Sequence, residues 1–154
     1  MRDPRTHSLA LAHCEAAAQV IRQHLIDRGA YGNQAKNMTG PVALAYFVGW
    51  SEGALRSAGF APESEDGLDA LGNMLWVIFD ESLLPGVSNG AIAIAYFDFR
   101  RATLRRDAAV QDAYRAGFQD FARYNEKGGS PTRLGDVFKQ HREPAAQPHR
   151  LRTA

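Results

Sequence analysis

The sequence predicts an all-α protein: a single-domain bundle of five main helices plus a short C-terminal helix. Apolar residues recur at helical spacing along most of the 154 residues. Glycine and proline fall between these periodic segments, where helices usually end. Alanine, a strong helix former, is abundant, and 45% of the residues are apolar. This composition is sufficient for one domain with one buried core.

The first helix is predicted from about Ser8 to Arg28, after a flexible N-terminus over residues 1–7. Thr6 or Ser8 is a candidate N-cap, and Gly29 is a candidate C-terminal stop. The inward stripe consists of residues three or four positions apart: Ala10, Cys14, Ala17, Ile21 and Leu25. The only cysteine of the chain is therefore interpreted as a small core residue.

The second helix is predicted from about Pro41 to Ala58, after a polar, glycine-rich connection over residues 29–40. It contains a ridge of small residues, each four positions apart: Ala45, Gly49, Gly53 and Ser57. Glycine inside a helix costs about 0.5–1 kcal/mol relative to alanine, so we expect another element to pack closely on this ridge. A second small ridge is predicted in the fifth helix, at Ala109, Ala113 and Gly117.

The third helix is predicted over residues 67–84, and the fourth begins after Ser88 or Asn89. Each contains a run that is apolar on every side, residues 74–79 and 91–97, and Pro85–Gly86 joins the two helices. These runs predict that both helices lie at the centre of the core. The second run is also compatible with a buried strand, but its alanines favour a helix whose inward residues are Ile92, Ala95, Tyr96 and Phe99.

The fifth helix is predicted to start after a break near Asp107, because an unbroken helix would be long for a small domain. It ends before Gly128. A short amphipathic helix follows over residues 132–141, and residues 142–154 form a disordered tail without a hydrophobic period. The helical domain therefore spans residues 8–141. One side of the short helix carries Leu134, Val137 and Phe138.

Motifs for catalysis or cofactor binding are absent from the sequence. It contains no metal-binding His-Glu-x-x-His, no phosphate-binding loop and no Gly-x-Ser-x-Gly. We therefore expect no metal and no cofactor, and the sequence leans against an enzyme. Asp80 and Glu81 follow six apolar residues and are candidate pocket carboxylates, since burial raises the pKa of a carboxyl group. The alternative is that both lie on the solvent side of the last helical turn.

Charge is distributed unevenly along the chain. Residues 58–98 contain acidic residues but no lysine or arginine, and four arginines then follow: Arg100, Arg101, Arg105 and Arg106. Arg101 and Arg105 are one turn apart and share a helix face. We predict that these arginines, with Leu134, Val137 and Phe138, form a partner-binding surface. The alternative is that the arginines pair internally with the acidic residues.

These features predict a small non-enzymatic protein-binding module of the inhibitor, immunity or adaptor type. A helical small-ligand binder or enzyme with a carboxylate in a core pocket is the alternative, and a nucleic-acid binder acting through Arg100–Arg106 is the third hypothesis. The net charge of +1 argues against nucleic acid as a partner.

The predicted location is the bacterial cytoplasm. No apolar run approaches the roughly 20 residues of a membrane helix. The single cysteine favours a reducing compartment, and arginine outnumbers lysine 15 to 3, as a GC-rich bacterial genome would produce. No motif indicates a family.

Overall fold

A computed structural model of the protein describes residues 3–28, 40–79 and 89–135. These residues form five α-helices: α1 (Pro4–Asp27), α2 (Pro41–Ser57), α3 (Glu65–Ile78), α4 (Asn89–Leu104) and α5 (Ala108–Lys127). The helices pack as one bundle, and the described ranges contain no strand. The predicted all-α bundle is confirmed, and residues 91–97 are helical. The predicted short C-terminal helix and the 142–154 tail extend beyond the described residues.

Helix α1 begins one turn earlier than predicted. The side chain of Asp3 accepts hydrogen bonds from the backbone N–H groups of Arg5 and Thr6, both at 3.0 Å, and Pro4 occupies the first helical position. Asp3 is therefore the N-cap, and the predicted cap at Thr6 or Ser8 is wrong, because aspartate followed by proline already begins a helix. The predicted inward stripe is confirmed, since all five of its residues are buried.

Helix α2 is the centre of the bundle. Every residue from Ala43 to Leu55 is buried except Glu52, and α2 contacts each of the other four helices. Its most extensive contact is with α5. The prediction that α3 and α4 form the centre is wrong, because each of them buries only one face. Trp76 on α3 and Phe97 on α4 are exposed despite their apolar surroundings in sequence.

Helices α2 and α5 cross with their backbones in close contact. An ideal Cβ atom built on Gly49 would lie 2.0 Å from the carbonyl oxygen of Tyr114. A Cβ atom on Gly117 would lie 2.1 Å from the carbonyl oxygen of Tyr46. Glycine at both positions therefore allows the two helices to approach each other. Gly53 lies against the ring of Phe121 in the same interface.

The other two ridge residues of α2 differ in their surroundings. Ala45 is buried, whereas Ser57 is exposed at the end of the helix. The Ser57 hydroxyl is hydrogen bonded to Nε2 of His13 at 2.8 Å and donates to the carbonyl oxygen of Ala54 at 3.0 Å. Ser57 therefore connects α2 with α1.

A tight corner separates α4 from α5. Arg106 adopts a left-handed conformation with φ of 57°, and the backbone N–H of Asp107 donates to the carbonyl oxygen of Ala102 at 3.0 Å. The Asp107 side chain then accepts from the backbone N–H groups of Ala109 and Val110, at 3.0 and 3.3 Å. Asp107 thus ends one helix and caps the next, which confirms the predicted break.

Candidate functional site

The solvent side of α4 carries a line of large apolar side chains. Ile94, Phe97 and Leu104 are 65%, 67% and 84% exposed, and they follow one another at helical spacing with Arg101 between the last two. We call these four residues the outer face. The opposite side of the helix is buried through Ile92, Ala95, Phe99 and Ala102. Helix α4 is therefore apolar on two sides, and only one of them has a partner within the described chain.

The structure divides the predicted arginine cluster between two surfaces. Arg101 lies on the outer face, and Arg105 and Arg106 are exposed at its end. Arg100 lies on another side of α4, where its guanidinium carbon is 5.7 Å from the centroid of the Tyr96 ring. The four arginines are close in sequence but do not share one surface.

Internal pairing accounts for little of the arginine charge. Among the described residues, Arg101 alone of the four forms an ion pair, with Asp98 at 3.9 Å. Both side chains are at least half exposed, and such pairs contribute about 0–1 kcal/mol. The charge at the end of α4 is therefore largely available to a partner.

A cleft opens on the other side of α4, between this helix, α2 and α5. It has a volume of about 730 Å³. Glu52 of α2 lies in it and accepts a hydrogen bond from the Tyr114 hydroxyl at 3.0 Å. Burial raises the pKa of Glu52, while the Tyr114 hydrogen bond and the guanidinium groups of Arg56 and Arg100 oppose this rise. Burial and the nearby Glu52 carboxylate raise the pKa of Tyr114 to about 12.

Leu134 is not available to a partner, contrary to the prediction. It is 1% exposed and belongs to the core. The reason is the neighbouring Arg133, whose backbone N–H donates to the carboxylate of Asp120 at 2.9 Å and thereby holds this segment against α5. Val137 and Phe138 lie outside the described residues, as do the candidate pocket carboxylates Asp80 and Glu81.

Asp120 is a fully buried carboxylate at the junction of α2, α5 and the chain after α5. The Tyr46 hydroxyl donates to it at 2.6 Å, and the guanidinium group of Arg123 also donates to it. Burial, and secondarily the hydrogen bond to Asp120, raise the pKa of Tyr46, so that this phenol stays protonated as a donor. Because these donors satisfy the carboxylate, we interpret Asp120 as structural.

Two signals in the sequence could have identified these surfaces. Glu52 is the only charged residue between Pro41 and Leu55, in a helix that is otherwise apolar. Ile94, Phe97 and Leu104 fall on the side of α4 opposite to its predicted inward stripe. Because residues 91–97 are all apolar, the sequence did not distinguish this outward stripe from the inward one.

Other site types receive no support from the described residues. None of their helices is both long and apolar enough to cross a membrane. No group of three or more His, Cys, Asp and Glu side chains in the described ranges is arranged to hold a metal ion. Comparisons with protein-family models, with curated proteins and with solved structures find no match.

Proposed function

We propose that this chain is a non-enzymatic protein-binding module of the inhibitor, immunity or adaptor type. Its outer face would bind an acidic amphipathic helix of another protein. The alignment of Ile94, Phe97 and Leu104 on the solvent side of α4 is the observation that supports this proposal. A bacterial cytoplasmic location is part of the same proposal, on the basis of the single cysteine and the excess of arginine.

The three apolar side chains of the outer face, Ile94, Phe97 and Leu104, are all exposed on the same side of α4. Single exposed apolar residues are common on protein surfaces and need no explanation. Several on one face of a helix are different, because one partner can bury them together and each large side chain buried is worth roughly 1.5–3 kcal/mol. Apolar residues at helical spacing on one face are the pattern by which one helix packs against another.

The charges around the outer face select the kind of partner. Three arginines, Arg101, Arg105 and Arg106, outnumber the two carboxylates beside them, Asp98 and Asp107, and Asp107 already accepts hydrogen bonds as the cap of α5. A partner helix with acidic residues flanking its apolar side would match this surface and would associate faster because of the attraction. The C-terminal part of the chain itself is a poor match by composition, because residues 136–154 contain more basic than acidic residues.

Affinity capture with matched variants tests the proposal. The full chain and three variants, Phe97→Ser, Arg101→Glu and Leu68→Ser, would be used to capture proteins from a lysate of the source cells. Leu68 is the control, since it is an exposed leucine on α3 and lies off the outer face. All three changes are at exposed positions, so melting temperatures should stay close to that of the parent.

The expected result is one protein retained by the parent and by Leu68→Ser but lost with Phe97→Ser. With Arg101→Glu the purified partner should associate more slowly, and the difference should shrink at high salt because salt screens exposed charges. Equal capture by all variants would refute the outer face as the binding surface. Sedimentation showing a dimer of the free chain that Phe97→Ser dissociates would refute a foreign partner, since a second copy would then occupy the face.

A further inference from the structure

Three aromatic side chains, which we call the aromatic wall, line the cleft between α2, α4 and α5. The rings of Phe99 and Tyr114 are nearly parallel, with an interplanar angle of 17° and centroids 6.5 Å apart. Tyr114 and Phe118 continue the row at 6.4 Å and 26°. All three residues line the cleft, whose volume of about 730 Å³ is in the range of small-molecule sites. An aromatic ligand ring can therefore pack against these side chains.

The remaining lining of the cleft carries an excess of positive charge. Arg56, Arg100 and Arg115 line it, against a single carboxylate, Glu52. Arg115 also pairs with Asp112 at 3.1 Å, whereas neither Arg56 nor Arg100 forms an ion pair with any described residue. Guanidinium groups bind carboxylates and phosphates in a bidentate manner. The charge therefore favours an anionic ligand.

Two polar groups of the cleft, Glu52 and Arg100, have contacts within the fold. Glu52 is anchored by the Tyr114 hydroxyl at 3.0 Å, and Arg100 is placed over the ring of Tyr96. Arg56 and Arg100 come from different helices, and both are close enough to Glu52 to affect it electrostatically. Both guanidinium groups thus line the same cleft as the aromatic rings, in the neighbourhood of Glu52.

We propose that this cleft binds a small aromatic anion, that is, a planar ring carrying a phosphate or carboxylate group. The ring would pack on Phe99, Tyr114 and Phe118, and the anionic group would contact Arg56 and Arg100. This site is distinct from the outer face, because the two surfaces lie on different sides of α4. The proposal therefore does not depend on the protein-binding function.

Isothermal titration with simple probes tests the proposal on the full chain. Phenyl phosphate and benzoate combine a ring with an anion, inorganic phosphate has the charge alone, and benzyl alcohol has the ring alone. We expect saturable binding of at least one of the first two probes, at least about tenfold tighter than that of either single-feature probe. No saturable binding of phenyl phosphate or benzoate up to about 10 mM would overturn the proposal.

Neighbouring arginines of α4 provide the matched variants. Arg100→Gln should weaken binding of the aromatic anion about tenfold, as expected for the loss of a charge-assisted contact, and Arg56→Gln should act similarly. Arg101→Gln removes the same charge from a side of the helix that does not line the cleft and should leave the affinity unchanged. Equal weakening by Arg100→Gln and Arg101→Gln would indicate nonspecific attraction to a basic surface and would overturn the assigned site.

Discussion

Replacing Gly49 with alanine tests the close packing of α2 against α5. The added Cβ atom would lie 2.0 Å from the carbonyl oxygen of Tyr114, so reaching an ordinary contact requires a shift of about 1.4 Å. No side-chain rotation relieves this clash, because the opposing atom belongs to the backbone of α5. Overpacking typically lowers the free energy of unfolding by about 1–3 kcal/mol, whereas the better helix propensity of alanine raises it by about 0.5–1 kcal/mol. We expect a net loss of about 1–2 kcal/mol in the free energy of unfolding.

Gly72→Ala is the matched control for this prediction. Gly72 lies inside α3, and an added Cβ atom there would meet no atom within 4 Å. This variant should gain about 0.5–1 kcal/mol, so the same substitution should have opposite signs at the two sites. Urea unfolding followed by circular dichroism measures both changes. A Gly49→Ala variant as stable as the parent would refute the close approach of α2 and α5.

Three further changes test other parts of the structure. Asp120→Asn should lower the free energy of unfolding, measured in urea melts, by about 2 kcal/mol or more, because hydrogen bonds to a charged group are lost. Unchanged stability would show that the carboxylate does not stabilise the fold. The raised pKa of Glu52 means that its ionisation opposes folding, and this cost grows as pH rises through the folded-state pKa. Glu52→Gln should therefore stabilise the protein more at pH 7 than at pH 4 in urea melts, and an equal effect at both would contradict this sign. Deleting residues 142–154 should change the melting temperature by no more than about 1 °C, and a larger fall would show that the tail is docked on the domain.

Features that depend on local spacing were predictable from the sequence. The inward stripe of α1 and the break at Asp107 follow from helical periodicity and from capping chemistry, which involve residues a few positions apart. The start of α1 was missed because Asp3 and Pro4 precede the first apolar residue of the stripe. A search for caps alone would have found this signal.

Features that depend on contacts between distant residues were not predictable. Tyr114 and Glu52 are 62 residues apart in sequence, and Tyr46 and Asp120 are 74 residues apart. One sequence contains no information on which of its polar residues meet across a bundle. The hydrophobicity of the segments likewise did not indicate that α2 lies at the centre or that Phe97 on α4 is exposed. Hydrophobicity describes a side chain, but whether that side chain is buried depends on how many helices pack around it.

The dependence of α2 on α5 has a consequence for protein synthesis. Each of the two helices buries part of the other, and the Tyr46–Asp120 hydrogen bond between them joins residues 74 positions apart. At about 5–20 residues per second, the ribosome needs about 4–15 s to make the chain between them. During this interval Tyr46, Trp50 and the rest of the α2 surface that α5 later covers lack their final partner. A nascent chain that ends before Ala108 is therefore expected to need a chaperone or to aggregate, and folding should be completed only after α5 has left the ribosome.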